Sequence, residues 1–256
     1  RSSNRFDYQK DWAICLLFKL YKENKDFLLI LDYHDDVAVL DSETNPSYCS
    51  FYQVKTKDNG VWKLQDFLQK QGAKSILAKL YEHKITFGEF NDKLTIVSNA
   101  KIDIETIEGI NSKEIGELSF SRFKKEDLTK VCESLQTEFS LSEPPIIDKL
   151  LFFLYSDLSL HDHSTHVEGK ILNFIHEFGK KGNPKSMYIA LHDELKRKND
   201  VEFISDEWSD FKNKKAIGYR QFDEFLQVAL KPDEYDRILE IAFSQLSQEG
   251  IDYFRL

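Results

Sequence analysis

The sequence is short of everything that would mark a membrane, secreted or zinc-bound protein. No apolar run approaches the roughly 18 residues needed to cross a bilayer. The longest candidate, Phe27 to Leu31, is only the length of a strand. The three cysteines, Cys15, Cys49 and Cys132, are odd in number, widely spaced and set among apolar neighbours. They fit no CxxC or Cys/His zinc spacing and read as buried, reduced thiols of a cytoplasmic protein. The chain opens on Arg1 rather than Met, and nothing near that end suggests a targeting peptide. Internal repeats and low-complexity tracts are missing, and no glycine loop of the oxyanion kind accompanies Ser164-Thr165-His166.

Basic charge is also in deficit. Forty-four Asp and Glu outweigh thirty-five Lys and Arg, a net charge of −9, which argues against a protein that coats nucleic acid indiscriminately. One region departs from this balance. Between Phe51 and Lys84 stand seven lysines (55, 57, 63, 70, 74, 79 and 84) against Asp58, Asp66 and Glu82, a local excess of four positive charges. Such a run is either a solvated helix face or a surface for a polyanion.

What is present is a soluble globular chain, 41% hydrophobic and 31% charged, long enough for one large domain or two modest ones. Residues 6–23 carry Trp12, Leu16 and Leu20 at helical spacing, with Asn4 or Asp7 as the candidate cap. Residues 27–42 read as a strand pair or one long bent strand. Asn45-Pro46-Ser47 marks a turn, and residues 48–56 return as a strand. A lysine-rich helix is expected from about Lys63 to Tyr81, then a short strand at 93–99. The order α-β-β-β-α-β describes an α/β sandwich around a mixed sheet. Beyond residue 100 the pattern is expected to be almost wholly helical: 124–139, 146–158, 166–179, 185–198, 219–230 and 233–250, with Pro232 near the first turn of the last. The expected division is a domain over 1–200, with an α/β core at about 5–100 and a helical remainder over 101–200. A helical C-terminal extension over 201–256 follows.

The segment Phe51-Tyr52-Gln53-Val54-Lys55 puts an amide and an ammonium on one face of an otherwise apolar strand. Buried without partners, both would cost free energy. Upstream, Asp35 and Asp36 head the strand Val37-Ala38-Val39, so a turn between the strands can bring a carboxylate opposite Gln53. Carboxylate and amide oxygens are hard ligands suited to Mg²⁺ or Mn²⁺. A lysine on the same face can orient water or offset charge on a phosphate. The competing reading is a strand-end aspartate paired to Lys55, with Gln53 bonded to backbone. His161, His163 and His166 have metal-like spacing, but no further ligand cluster follows, and loops before helices often carry His and Asp as caps.

The pattern Asp36-x16-Gln53-x-Lys55 resembles the active site of the PD-(D/E)xK restriction-endonuclease superfamily, in its Mrr-like branch, where Gln is usual at the second position. The segments FDYQKDWAICLLFKL, YHDDVAVLDS, FYQVKTKDNGVW, SILAKLYEH, LTIVSNA and LHDHSTHVEGKILNFI, in that order, resemble one branch of it. That branch is the double-stranded DNA endonuclease domain of anti-phage effectors, found in CBASS effectors and in the nuclease subunit of Lamassu systems. The resemblance spans roughly residues 5 to 200. It implies a restriction-endonuclease-like fold and a metal-dependent DNA endonuclease, with Asp36 and Gln53 as metal ligands and Lys55 as the catalytic lysine. Asp35 competes with Asp36, which directly precedes the apolar strand. Gln9 matches a family position on the first helix facing the same site. Lys57, Lys63, Lys70 and Lys74 would contact the DNA backbone. A homo-oligomer and an SMC-like or sensor partner subunit are implied as the controls on cleavage, and no membrane. The alternative is a catalytically weak scaffold that keeps the nuclease fold, to which the neutral Gln53 lends weight.

Overall fold

The computed structural model describes residues 2–201 and 207–230; the helix expected at 233–250, with Pro232, lies outside them. Helix α1 (Ser2–Glu23) opens the chain. Its buried stripe is Tyr8, Trp12, Ala13, Leu16, Leu17 and Leu20, the helical spacing read from the sequence. Asn4 and Asp7 lie inside this helix rather than capping it. Asn4 is used elsewhere, donating Nδ2 to Leu160 O at 2.9 Å.

Strands β1 (Leu28–Tyr33) and β2 (Asp35–Leu40) form an antiparallel hairpin, settling residues 27–42 as a strand pair. Its tip bends through left-handed backbone at Asp32 and His34, with φ of 48° and 64°. The following turn is pinned by Asp41, whose Oδ1 accepts the N–H groups of Ser47 and Tyr48. Strand β3 (Cys49–Lys55) then pairs antiparallel with β2.

The expected lysine-rich helix does not form as one piece. A short α2 (Leu64–Leu68) ends before a tight hairpin of β4 (Lys70–Gln71) and β5 (Lys74–Ser75). Gly72 turns this hairpin at φ 81°, a conformation that a helix cannot pass through and that glycine adopts freely. Helix α3 (Ile76–Phe87) starts afresh behind it, with Ser75 Oγ accepting the Ala78 N–H as its cap.

Past residue 100 the chain is less helical than its pattern suggests. Strand β6 (Asn91–Ser98) is followed by β7 (Glu117–Ser119), helix α4 (Lys125–Phe139) and β8 (Leu151–Tyr155). The helix expected over 146–158 is therefore a strand. Leu151 and Phe153 belong to the core on one side of the sheet, while Leu154 packs on the other. A strand covered on both faces has no polar alternation to distinguish it from a buried helix. Helices α5 (His163–Glu177), α6 (Pro184–Asn199), α7 (Trp208–Lys215) and α8 (Tyr219–Ala229) complete the described chain, with strand β9 (Ala216–Gly218) between the last two.

The seven-stranded mixed sheet runs β7-β8-β6-β3-β2-β1-β9, with β3, β6 and β8 parallel. One face carries Ala38, Leu40 and Phe51 into a core closed by Phe67 of α2, Leu77 and Leu80 of α3 and Val131 of α4. The opposite face carries Val37, Val39 and Val54 against α1, α5, α6 and α8. This is the restriction-endonuclease-like α/β arrangement expected, followed by a mostly helical C-terminal part. Among the described residues no helix is long and apolar enough to cross a membrane.

Candidate active site

The parallel strands β3, β6 and β8 end level with one another, Lys55 beside Ser98 and Ser98 beside Tyr155. Open α/β sheets characteristically bind ligands off such carboxyl ends. Here β2 enters from the opposite direction and brings its first residues to the same place. The register that pairs Val37 with Tyr52 sets Asp36 opposite Gln53. There the two strands part, and Asp36 Oδ2 accepts the Val54 N–H at 2.6 Å, taking over from the strand backbone. The carboxylate is thus built into the fork between β2 and β3.

Burial pushes the Asp36 carboxyl up from the usual 3.8 to about 6; Lys55 nearby pulls it down, while Asp35 and Asp32 add to the rise. Lys55 is half-buried on the face of β3 that also carries Phe51 and Gln53. Gln53 is only 6% exposed, and its Oε1 is buried without a hydrogen-bond partner. An orphaned amide oxygen costs roughly 1–3 kcal/mol, so it calls for an explanation. A carboxylate facing a carbonyl oxygen with nothing to accept is the donor set of a hard divalent cation. Asp36 and Gln53 fit such an ion. Among the described residues no cluster of three or more His, Cys, Asp or Glu offers another metal site.

Asp35 is differently employed. Its Oδ1 accepts the Asp36 N–H at 2.9 Å, and its Oδ2 lies 3.0 Å from His83 Nε2. His83 comes from α3 and stacks flat on Phe51, with ring centroids 4.2 Å apart and planes 12° apart. Beside Gln53 a pocket of about 400 Å³ opens between Asp35, His34, Lys79, Glu82 and His83. Nothing in the sequence signals the Asp35–His83 pair. Its partners lie 48 residues apart and belong to no common motif.

Gln9 is half-buried on α1 at this same end of the sheet, where Arg5 reaches Asp58 just beyond β3 at 3.9 Å. No hydrogen bond joins Gln9 to Asp36, Gln53 or Lys55 among the described residues. The four lysines of the expected DNA surface divide. Lys57 Nζ donates to Val61 O at 2.7 Å and to Asp66 Oδ2 at 3.0 Å, and lies over the Trp62 ring. Lys74 is paired with Glu82 and lies over Phe139. Lys63 and Lys70 are exposed.

The histidines of the 161–166 segment serve the architecture. His163 sits between Asp11 Oδ2 at 2.5 Å and Asn4 Oδ1 at 3.0 Å. His166 Nδ1 accepts the Ser159 N–H at 3.2 Å. All three cysteines are free.

Residues 1–199 match the family model of the Cap4 dsDNA endonuclease domain. The Lamassu protein LmuA of Bacillus cereus (strain VD014) is 24% identical over 240 residues, which cover 92% of this chain and 65% of that protein. The chain thus spans somewhat under two thirds of the length of this relative. No solved structure matches it. With a mixed sheet, a strand-end carboxylate and a same-face Gln and Lys already in place, the chain belongs to the Cap4 dsDNA endonuclease domain family.

Proposed function

We propose that the protein is a divalent-metal-dependent endonuclease that hydrolyses phosphodiesters of double-stranded DNA in an anti-phage defence system. The observation that carries this is the buried, unpartnered Gln53 Oε1 on the strand whose next residue, Val54, holds the Asp36 carboxylate, with Lys55 on the same strand face. Asp36 and Gln53 hold the ion, Mg²⁺ or Mn²⁺. When bound, it supplies Lewis-acid polarisation of the phosphate and lowers the pKa of a coordinated water.

The protein's own groups do the rest. The Val54 N–H fixes Asp36 Oδ2, so the carboxylate points in one direction before any ligand arrives. The Lys55 ammonium offsets charge that builds on the phosphate oxygens and orients the attacking water. Asp35 has both oxygens engaged, which favours Asp36 as the ligand. Gln9 belongs to the periphery of this site. Of the lysines, Lys63 and Lys70 are free to meet the phosphate backbone, a contact that positions DNA without reading its sequence. Lys57 and Lys74, held by internal acids, support the surface instead.

Cutting both strands takes two such sites, so the working form is a homo-oligomer. The relative is a Lamassu protein, which supports a place in a multi-subunit defence assembly; an SMC-like or sensor subunit is the partner we propose. The decisive experiment is plasmid cleavage by Lys55→Ala in Mg²⁺ or Mn²⁺. Cleavage should fall by about 10²–10³-fold, with DNA binding and melting temperature held. A variant that cuts at the parent rate would remove Lys55 from the chemistry.

A further inference from the structure

One of the two proposed ligands of the cation site, Asp36, lies just past the tip of the β1–β2 hairpin. The tip itself is left-handed at Asp32 and His34, and Tyr33 pairs with Asp35 across it. Such a short turn does not by itself fix the residue that follows. The Val54 N–H holds the Asp36 carboxylate, and its backbone is held by a second chain of contacts, running to α3. The Asp36 N–H is received by Asp35 Oδ1. The other Asp35 oxygen faces His83 Nε2, and both side chains are nearly sealed, at 6% and 8% exposure. A carboxylate only accepts, so the proton of this contact sits on Nε2. His83 is held in turn, its carbonyl accepting Asn91 Nδ2 at 2.7 Å and its ring lying on Phe51, two residues before Gln53.

We propose that His83, acting through Asp35, is a positioning residue for the metal-binding pair, setting Asp36 from one side and the Phe51–Gln53 strand from the other. This rests on the assignment of Asp36 and Gln53 as the ligands. Take away the imidazole, and the sealed Asp35 carboxylate loses a donor that it cannot replace without turning toward the pocket beside Gln53. Turning it releases the Asp36 N–H, and the ligand is left with only one of its two anchors, the Val54 N–H. Outer groups that hold a metal ligand in this way typically carry about 10–100-fold in affinity.

The test separates binding from cleavage by working in the Lys55→Ala background, with Mn²⁺ binding followed by electron paramagnetic resonance or titration calorimetry. His83→Phe, which keeps a ring on Phe51 but no donor, should weaken Mn²⁺ binding by at least about tenfold. His83→Gln, which restores an N–H, should return it to within about threefold. Asp35→Ala reads the same link from its other end and should match His83→Phe. With Lys55 intact, His83→Phe should raise the Mg²⁺ concentration for half-maximal cleavage and leave the KM for DNA alone. Parent-like Mn²⁺ affinity in folded His83→Phe and Asp35→Ala would overturn the role of His83 while leaving the site standing. If parent binding is missing, or is indifferent to Asp36→Ala, the site assignment itself falls and takes this role with it.

Discussion

Two buried histidine–carboxylate pairs lie among the described residues, and they are chemically close to interchangeable. One joins His163 of α5 to Asp11 of α1; the other joins His83 of α3 to Asp35 of β2. Each neighbourhood even contains a buried oxygen without a donor, Asp11 Oδ1 in the first and Gln53 Oε1 in the second. Their settings differ. Asp11 is entirely buried, with Tyr188 OH 3.3 Å from its Oδ2, and both ring nitrogens of His163 are matched to protein oxygens. The pair locks α1 to α5 and α6 and faces inward. The His83 pair stands on the wall of a pocket, next to a strand-end carboxylate and a lysine. A histidine–carboxylate contact therefore says little about function until it is known what the adjoining unsatisfied atom can reach.

The sharpest way to break this contrast is Asp36→Asn. The amide still accepts the Val54 N–H, so the fork between β2 and β3 survives, but cleavage should fall by about 10²–10³-fold. Stability should move the other way. The Asp36 carboxyl is raised to about 6 in the folded protein against an ordinary 3.8, so the folded state binds the extra proton between those values. Ionised Asp36 hence costs stability, fully above pH 6 and not at all below pH 4. The variant should unfold at higher urea than the parent at pH 8, by about 3 kcal/mol, and together with it at pH 4. Equal stability at both pH values would show that the carboxylate is better solvated than its burial implies.

His163→Ala should do the reverse, costing about 3 kcal/mol in urea unfolding because it strands the Asp11 carboxylate, while the cleavage rate per folded molecule stays at the parent value. Lost activity in a fully stable protein would put this pair in the active site and dissolve the comparison. Mildest of the three is Tyr188→Phe, which removes one long hydrogen bond to Asp11. A loss of about 1 kcal/mol or less is expected, with no change in cleavage; a larger loss would mean that the hydroxyl, not the imidazole, holds the inner pair.

How far the sequence could be read depended on which elements kept one wet face. Helices α4, α5, α6 and α8 did, and their apolar spacing marked them. Strand β3 was legible for the opposite reason, since Gln53 and Lys55 interrupt an apolar strand at period two. The facing Asp36 followed from the turn at Asn45-Pro46-Ser47. Strand β8, covered on both faces, imitated a helix. Counting lysines from 51 to 84 measured charge but not direction. Lys57 folds back onto Trp62 and Asp66, and the hairpin at Gly72 breaks the helix that would have aligned the others. The Asp35–His83 link could not be seen at all, because only the tertiary packing of α3 on the sheet creates it.

Strand β9 has a practical meaning for anyone who wishes to shorten the chain. The family match stops at residue 199, but the sheet does not: Ala216–Gly218 pairs with Leu28–Ile30 of β1. Gly218 lies against the Glu43 side chain: a Cβ there would come to 2.5 Å from the Glu43 carboxyl carbon, and that carboxylate accepts the Arg220 N–H. A chain cut after 199 would lay bare the N–H and C=O groups of an apolar strand, a template for pairing with other molecules and for aggregation. A truncation guided by the family match alone is expected to yield insoluble material.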